Sequence, residues 1–312
     1  MHVLVTGGLG YLGHAVTRDL LAAGHRVTVL TRGGADAGHE AGAGLVEGDV
    51  RDRDRIRELV AAGRFDAMCH LAAVSRGRDS FADPLTYYDV NVTGTLNLLM
   101  ALDAVRGSAP PARFVFASTD KVYGSRYAGA LNEDLDLHPE SPYATSKAAA
   151  ERLVTAYAAT GAIGAVTLRC FNIAGSAYGR TDTDTARIIP NVFRALTGEA
   201  PYVTLNGDGS AVRDFVHILD VAAAVRLSFA AAEAGGHRVY NIGSGVASSM
   251  AQVVATAEAV TGLPVAVRKA PPKPEPQVLT ADNGRAVKEL GWTPERSGLT
   301  ELITDAWSTW PA

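Results

Sequence analysis

The sequence has few of the features that mark a secreted, membrane or nucleic-acid-binding protein. Only two cysteines, Cys69 and Cys170, occur in 312 residues, which excludes a disulfide framework; both stand in apolar runs and are expected to be small buried side chains. The net charge of −4 gives no basis for binding nucleic acid or an anionic membrane. No apolar run reaches the roughly 18 residues of a membrane span, and no basic leader precedes the first one. We expect a cytoplasmic protein without nucleic-acid or membrane partners.

The chain does contain a regular alternation of short apolar β runs and longer helical stretches. The β runs lack a polar face, which is typical of parallel strands covered on both sides. The predicted fold is therefore α/β, a doubly wound parallel Rossmann sheet with a smaller, interwoven C-terminal substrate-binding lobe. We assign 1–172 to the dinucleotide-binding domain, with 214–246 returning to it, and 173–213 and 247–312 to the lobe.

A glycine-rich stretch, Gly7-Gly8-Leu9-Gly10-Tyr11-Leu12-Gly13, follows the first strand and opens the first helix. Its spacing matches the dinucleotide fingerprint, in which missing side chains let backbone amides and a helix N-terminus approach a pyrophosphate. A glycine-rich turn without a ligand is the alternative. The predicted cofactor contacts here are Gly7, Gly10, Tyr11, Leu12 and Gly13.

The ends of the second and third strands bear on the choice between NAD and NADP. Asp49, followed by Val50, is placed to accept a hydrogen bond from an adenine amino group, although it could equally cap its loop. Thr31-Arg32 stands where an acidic residue would bind the ribose hydroxyls of NAD. A guanidinium suits a 2′-phosphate, so Arg32 favours NADP slightly over NAD unless it is merely an exposed arginine.

A tyrosine and a lysine four residues apart, Tyr143 and Lys147, are predicted to lie on one face of a helix that starts at Ser141-Pro142. A free tyrosine, with a pKa of about 10, is a poor acid or base at neutral pH. A nearby ammonium, helped by an oxidised nicotinamide, would favour the phenolate. The pair therefore indicates proton transfer beside a redox cofactor.

A polar cluster, Ser118-Thr119-Asp120-Lys121, ends a buried strand, at the sheet edge where such folds bind ligands. Ser118 and Thr119 are predicted to hydrogen-bond a substrate oxygen, which completes the hydroxyl, phenol and ammonium set of an alcohol-to-ketone conversion. Asp120-Lys121 is either part of that chemistry or a surface ion pair. No metal site is predicted.

These motifs together resemble the extended short-chain dehydrogenase/reductase family, and within it the sugar-nucleotide enzymes similar to UDP-glucose 4-epimerase. The resemblance implies that Thr119, Tyr143 and Lys147 are catalytic, that Asn172 contacts a nucleotide diphosphate and Arg213 clamps its phosphates, and that the protein is a homodimer. The resembling motifs also include the glycine loop, Gly48-Asp49, His70-Leu71-Ala72-Ala73, Asn91-Val92-Thr93-Gly94-Thr95, Val122-Tyr123-Gly124, Arg169-Cys170-Phe171-Asn172 and Val212-Arg213-Asp214-Phe215-Val216-His217. Of these, Leu71, Ala72, Ala73 and Asn91 are assigned to the cofactor.

Three positions depart from the epimerase pattern. Thr31 replaces a usual acidic residue, as in NADP-using reductases of the family. Asp120-Lys121 resembles the centre of nucleotide-sugar 4,6-dehydratases, in which the Asp helps to expel water. An arginine-rich diphosphate contact near the C-terminus has become the proline-rich segment 271–276, where Lys273 could partly substitute.

We therefore expect an enzyme that modifies a nucleotide-diphosphate sugar by nicotinamide-mediated redox at hexose C4. A 4-epimerase ranks first on overall resemblance. An NADPH-dependent 4-ketoreductase follows because of Arg32, and a 4,6-dehydratase that uses Asp120 and Lys121 ranks third. A hypothesis of another class is a non-catalytic NADP-binding sensor on the same fold, but such a protein would be expected to have lost the tyrosine or the lysine.

Overall fold

The computed structural model describes residues 1–33, 42–105, 107, 112–272 and 276–311. The strands, in chain order, are β1 (His2–Thr6), β2 (Arg26–Thr31), β3 (Gly44–Glu47), β4 (Ala67–His70), β5 (Ala112–Thr119), β6 (Gly129–Leu131), β7 (Ile163–Cys170), β8 (Asn172–Ala174), β9 (Ser176–Ala177), β10 (Arg180–Thr181), β11 (Val203–Asn206), β12 (Val212–His217), β13 (His237–Ile242), β14 (Ala247–Ser249), β15 (Val267–Ala270) and β16 (Val278–Ala281). The helices are α1 (Tyr11–Ala22), α2 (Arg53–Gly63), α3 (Pro84–Tyr88), α4 (Gly94–Ala104), α5 (Pro142–Ala158), α6 (Ile188–Leu196), α7 (Ile218–Ala231), α8 (Met250–Thr261), α9 (Gly284–Leu290) and α10 (Leu299–Ser308).

A parallel sheet in the order β13-β7-β5-β4-β1-β2-β3 forms the centre of the molecule. Every residue of β7 is buried, as expected for a strand covered on both faces. One apolar core lies between the sheet and α1 and α7, and a second lies between the sheet and α2, α4 and α5. The predicted doubly wound fold is confirmed. The two cysteines are free and buried, also as predicted.

The second lobe contains a smaller sheet in the order β14-β12-β16-β6, with β8 paired to β12. Its own apolar core includes Val192 and Phe193 of α6, Val253 of α8 and Leu302 of α10. β6 lies in the first half of the chain, between strands of the Rossmann sheet, but pairs with β16 in this lobe, whereas β13 returns to the Rossmann sheet beside β7. The two parts are thus interwoven.

The helical segment from Pro84 to Ala104 is divided. A single π-helical turn, Asp89–Thr93, separates α3 from α4. This turn contains Asn91, whose amide bonds to the backbone of Val74 on the loop after β4. π turns often occur where a side chain is needed at a particular place. Among the described residues, no helix combines the length and apolar character needed to cross a membrane.

Candidate active site

The glycine loop after β1 is closed so tightly that side chains would not fit. Gly7 has φ of +73°, and a Cβ there would lie 2.7 Å from the Ala72 nitrogen. A Cβ on Gly13 would lie 2.0 Å from the Gly7 carbonyl oxygen. At Gly10, where α1 begins, no side chain among the described residues caps the helix, so the first amides remain available to an anion. The loop is therefore shaped for a dinucleotide pyrophosphate. The contacts predicted for this group are Gly7, Gly10, Tyr11, Leu12 and Gly13.

The loop after β4 lies against the glycine loop. The Leu71 amide donates to the Thr6 carbonyl, and the Ala72 amide donates to the Thr6 hydroxyl at 3.2 Å. Beneath them, a buried chain of contacts runs from Thr6 through His70 to Thr95, at 2.7 Å and 3.0 Å. Burial lowers the pKa of His70 to about 3, which keeps the imidazole neutral. The backbone of Leu71, Ala72 and Ala73 is thus fixed beside the predicted cofactor site.

Asn91, predicted to contact the cofactor, has its amide engaged within the fold. Its carbonyl oxygen accepts from the Val74 amide at 2.9 Å, and its Nδ2 donates to the Val74 carbonyl at 3.1 Å and to the Ser146 hydroxyl at 2.9 Å. Asn91 therefore fixes the backbone of the loop after β4 and ties that loop to α5.

At the adenosine end, Asp49 is paired with an arginine that the sequence reasoning missed. Its carboxylate accepts from Arg51 Nη2 at 2.8 Å and Nε at 3.1 Å, and this pairing holds the pKa of Asp49 below its usual value. The next backbone carbonyl, that of Val50, accepts from Asn97 at 3.0 Å. Arg32 is exposed at the end of β2, while the Thr31 hydroxyl donates to the Gly33 carbonyl at 3.2 Å. Two arginines thus lie near this end of the site.

Tyr143 and Lys147 lie in the first turns of α5, which begins as predicted with a Ser141 cap and Pro142. Burial raises the pKa of Tyr143 to about 12; the hydrogen bond with the Thr119 hydroxyl acts in the opposite direction, and the Asp120 charge adds to the rise. Without the oxidised nicotinamide that the prediction included, the pKa of Tyr143 thus stays above its ordinary value. The desolvation cost of a phenolate here exceeds the attraction of nearby groups.

Lys147 is buried, with its ammonium 4.1 Å from the centre of the Phe116 ring. Burial lowers its pKa to about 8, and the Glu151 carboxylate opposes that fall. Lys147 therefore still carries a positive charge at pH 7, beneath the place where Tyr143 and Thr119 meet.

Ser118 and Thr119 point in different directions. The Ser118 hydroxyl donates to Glu151 inside the fold, and Arg169 binds the same carboxylate at 2.9 Å. This differs from the prediction that Ser118 hydrogen-bonds a substrate oxygen. Both hydroxyls contact α5, Ser118 at Glu151 and Thr119 at Tyr143, and it is the Thr119 hydroxyl that meets the tyrosine.

Asp120 and Lys121 form an ion pair at 2.7 Å, in which the aspartate side chain is buried and the lysine is exposed. The Thr119 hydroxyl also lies 3.2 Å from the Asp120 carboxylate. The pair thus lies at the edge of the catalytic cluster, and the Asp120 charge reaches Tyr143.

A cavity of about 410 Å³ lies beside this cluster, mainly within the second lobe. Asn172 and Arg213, both predicted to bind substrate, line it together with Arg78, Arg187 and Tyr202, which were not predicted. The Asn172 amide donates to the Asp214 carbonyl at 2.8 Å, and Arg213 Nη1 donates to the carbonyls of Val212 and Pro276 at 2.8 Å and 3.1 Å. Lys273 lies outside the described residues.

A family model for the NAD-dependent epimerase/dehydratase family matches residues 3–243. The chain belongs to this family. It is 38% identical to a UDP-glucose 4-epimerase of Corynebacterium glutamicum, over 99% of this chain and 95% of that enzyme. A UDP-glucose 4-epimerase of Streptomyces lividans is 37% identical, over 97% of this chain and 94% of its own length.

Solved structures of the epimerase/dehydratase family agree with this membership. A UDP-glucose 4-epimerase of Stenotrophomonas maltophila, with bound NAD and formylated UDP-arabinopyranose, has a TM-score of 0.89 at 30% identity, covering 99% of this chain and 97% of that one. A Brucella ovis UDP-glucose 4-epimerase in complex with NAD has a TM-score of 0.90 at 29% identity, covering 99% and 98%. The predicted resemblance, enzyme class and NAD(P) dependence are confirmed.

Proposed function

We propose that this protein is an NAD(P)-dependent 4-epimerase of UDP-hexoses. The observation that carries the proposal is the meeting of Tyr143, Thr119 and Lys147 at the carboxyl edge of the sheet that also bears the glycine loop. The cavity opens beside them, because Gly77 lies against the Tyr143 ring and the next residue, Arg78, lines the cavity. The similar enzymes of Corynebacterium and Streptomyces are UDP-glucose 4-epimerases, which supports a UDP-sugar as substrate.

In this proposal, Tyr143 accepts the proton of the hexose C4 hydroxyl while the Thr119 hydroxyl shares the hydrogen bond. When bound, the nicotinamide supplies the acceptor for the C4 hydride. Lys147 holds the cofactor ribose and keeps a positive charge beneath the reacting atoms. Turning the 4-keto sugar over before the hydride returns gives the epimer, and Tyr143 returns the proton.

Tyr143 must lose its proton although burial raises its pKa to about 12 in the protein alone. A bound oxidised nicotinamide would supply a positive charge, and a positive charge near the phenol would favour the phenolate. Tyr143 itself would accept the C4 hydroxyl proton, helped by its hydrogen bond with the Thr119 hydroxyl.

For the nucleotide, we keep the proposal that Arg32 favours NADP over NAD, and Arg51 adds a second guanidinium near the same end. The Brucella enzyme was solved with NAD, which supports the opposite choice. Kd values for both nucleotides, and the nucleotide that copurifies, test this. An NADP preference together with slow epimerisation would favour the alternative function, an NADPH-dependent 4-ketoreductase.

The function is tested by incubating the purified protein separately with UDP-glucose, with dTDP-glucose, and with a dTDP-4-keto-6-deoxyhexose plus NADPH. We expect UDP-galactose from the first and no net change in nicotinamide absorbance. A dehydrated product from either glucose substrate would support the dehydratase, and NADPH consumption would support the reductase. Nucleotide binding without any turnover would support the sensor.

We also propose a cytoplasmic homodimer. Phe81, just before α3, and Leu85, within α3, are 65% and 77% exposed. Tyr88 and Leu96 are further exposed apolar side chains on α3 and α4. Large apolar side chains grouped in this way on a soluble protein mark an interface. Light scattering after size exclusion is expected to give twice the chain mass of 32.6 kDa; a monomer at micromolar concentration would refute the proposal.

A further inference from the structure

Arginines on three separate segments line the cavity of the second lobe. Arg78 lies after β4, Arg187 lies immediately before α6, and Arg213 lies on β12. The protein as a whole has a net charge of −4, so this local excess of cations indicates an anionic ligand. A nucleotide diphosphate carries its charge on two phosphates.

Arg213 is partly committed to the protein itself. Its Nη1 donates to the backbone carbonyls of Val212 and Pro276, which fixes the guanidinium at the cavity wall. Arg78 and Arg187 are the other arginines that line the cavity.

Arg187 is held in a suitable orientation. Its Nη1 donates to Asp182 Oδ2 at 3.0 Å and to the Ile173 carbonyl at 3.4 Å. The Asp182 side chain is only 13% exposed, whereas that of Arg187 is 42% exposed and lines the cavity. A guanidinium held at one nitrogen in this way can still turn its other N–H donors toward the cavity, and these suit a phosphate.

We propose that Arg187 binds the diphosphate of the nucleotide sugar together with Arg213. This inference rests on the proposed function. It concerns a residue that touches the substrate without taking part in proton or hydride transfer.

The position of Arg187 also affects the catalytic base. Its positive charge lowers the pKa of Tyr143, against the effect of burial and of Asp120. One residue thus connects substrate binding with the proton transfer at C4. Removing the charge is expected to move the acidic limb of kcat/KM to higher pH, because the phenolate then forms less readily.

The test compares Arg187→Gln with Arg194→Gln, a control within α6, the helix that Arg187 precedes; Arg194 pairs with Glu199 at the surface at 3.5 Å. Titration calorimetry at one ionic strength and with NAD present gives the Kd of UDP and that of UMP. The ratio of the two Kd values is the preference for the second phosphate. We expect Arg187→Gln to reduce this preference about 10- to 100-fold, as for a lost hydrogen bond to a charged group. The control is expected to keep the wild-type preference.

Asp182→Asn distinguishes a purely structural role of Arg187 from phosphate binding, because it breaks the ion pair but leaves the arginine charge in the cavity. If Arg187 binds phosphate, Asp182→Asn keeps the preference for UDP and Arg187→Lys keeps part of it. If both Asp182→Asn and Arg187→Gln lose it equally, or if neither does, the inference is wrong. A wild-type protein that prefers UDP to UMP, with Arg187→Gln unchanged, overturns the inference alone. A wild-type protein that neither binds UDP nor turns over UDP-glucose overturns the proposed function.

Discussion

At the scale of single residues, Tyr143 and Lys147 are subject to the same physical effect with opposite results. Burial disfavours charge on both, so the pKa of Tyr143 rises to about 12 and that of Lys147 falls to about 8. Each side chain therefore takes up its charged form less readily than it would in water. A bound cofactor, with its positive charge and ribose hydroxyls, would offset this cost of burial.

Tyr143→Phe removes the proton-transfer group and little else. We expect kcat for UDP-glucose epimerisation to fall by about 10²- to 10⁴-fold, the usual contribution of a general acid or base, with KM little changed. The matched control is Tyr157→Phe on the same helix, whose hydroxyl contacts Asp103 at 3.0 Å, far along α5 from the site. Equal losses in both variants would show that Tyr143 has no chemical role.

Lys147→Met is expected to stabilise the cofactor-free protein at pH 7. The pKa of Lys147 in the folded state, about 8, lies below its unfolded value, so folding releases a proton between these pKa values. The penalty is fully present below about pH 8 and disappears as pH rises to about 10.5. Urea unfolding should give a gain of up to about 3 kcal/mol at pH 7 that shrinks toward pH 10. A variant less stable than wild type, or a gain independent of pH, would contradict this account.

Sequence reasoning at this scale succeeded where spacing determines geometry. Tyr143 and Lys147 are four residues apart on a helix, and this spacing alone puts them on one face. It did not reveal the hydrogen bonds of Ser118 and Asn91, whose partners Glu151 and Val74 are distant in the sequence. Arg51 and Arg187 were missed because isolated arginines carry no motif.

At the scale of elements, a buried ion pair fixes α5 to the sheet. Glu151 of α5 binds Arg169 of β7 at 2.9 Å and accepts from Ser118 of β5. Arg169 also donates to the Tyr123 hydroxyl at 2.9 Å. The network lies one helical turn beyond Lys147, so it determines how the catalytic turn of α5 sits on the sheet.

Glu151→Gln leaves the Arg169 charge buried without its carboxylate. Breaking a buried pair from one side costs about 3–5 kcal/mol, so we expect a loss of this size in the free energy of unfolding. The exposed pair of Asp134 with Arg285, at 2.7 Å, provides the control, since Asp134 is 80% exposed. Asp134→Asn is expected to cost under about 1 kcal/mol. Similar losses in the two variants would mean that the buried network contributes little.

A small hairpin, 176–181, extends from the second lobe onto α1. Tyr178 and Gly179 at its tip both have positive φ, the conformation that a two-residue turn of this type requires. The Tyr178 ring lies under Arg18 at 4.5 Å, and Arg180 donates to the Leu9 carbonyl in the glycine loop at 3.0 Å. The Tyr11 hydroxyl donates to the carbonyl of the preceding Gly175 at 2.7 Å. The hairpin thus covers the pyrophosphate end of the site.

Arg180→Ala is expected to speed release of the bound dinucleotide by about 10-fold, because it removes a charged donor from this contact. Stopped-flow displacement of the reduced nucleotide, followed by fluorescence, measures the rate. The control, Arg226→Ala, removes an arginine that pairs with Asp19 on α1 at 2.8 Å, away from the glycine loop. An unchanged release rate in Arg180→Ala would show that the hairpin does not retain the cofactor.

At the scale of the whole molecule, the alternation of strands and helices was sufficient to predict the Rossmann sheet. The interweaving was predicted only in outline. β13, in the segment 214–246, lies beside β7, whereas β12 at the start of that segment pairs in the smaller sheet. The pairing of β6 was not foreseen, because three residues at Gly129–Leu131 do not reveal their partner at β16. The division into 1–172 with 214–246, and 173–213 with 247–312, remains our proposal.

In the proposed epimerisation, hydride leaves hexose C4 and returns to the same carbon. NMR can follow this with UDP-glucose that carries deuterium at C4, incubated with the NAD-loaded protein. We expect UDP-galactose that retains deuterium at C4, formed far more slowly by Tyr143→Phe. Deuterium transferred to C6 of a 4-keto-6-deoxy sugar, or no galactose product at all, would contradict it.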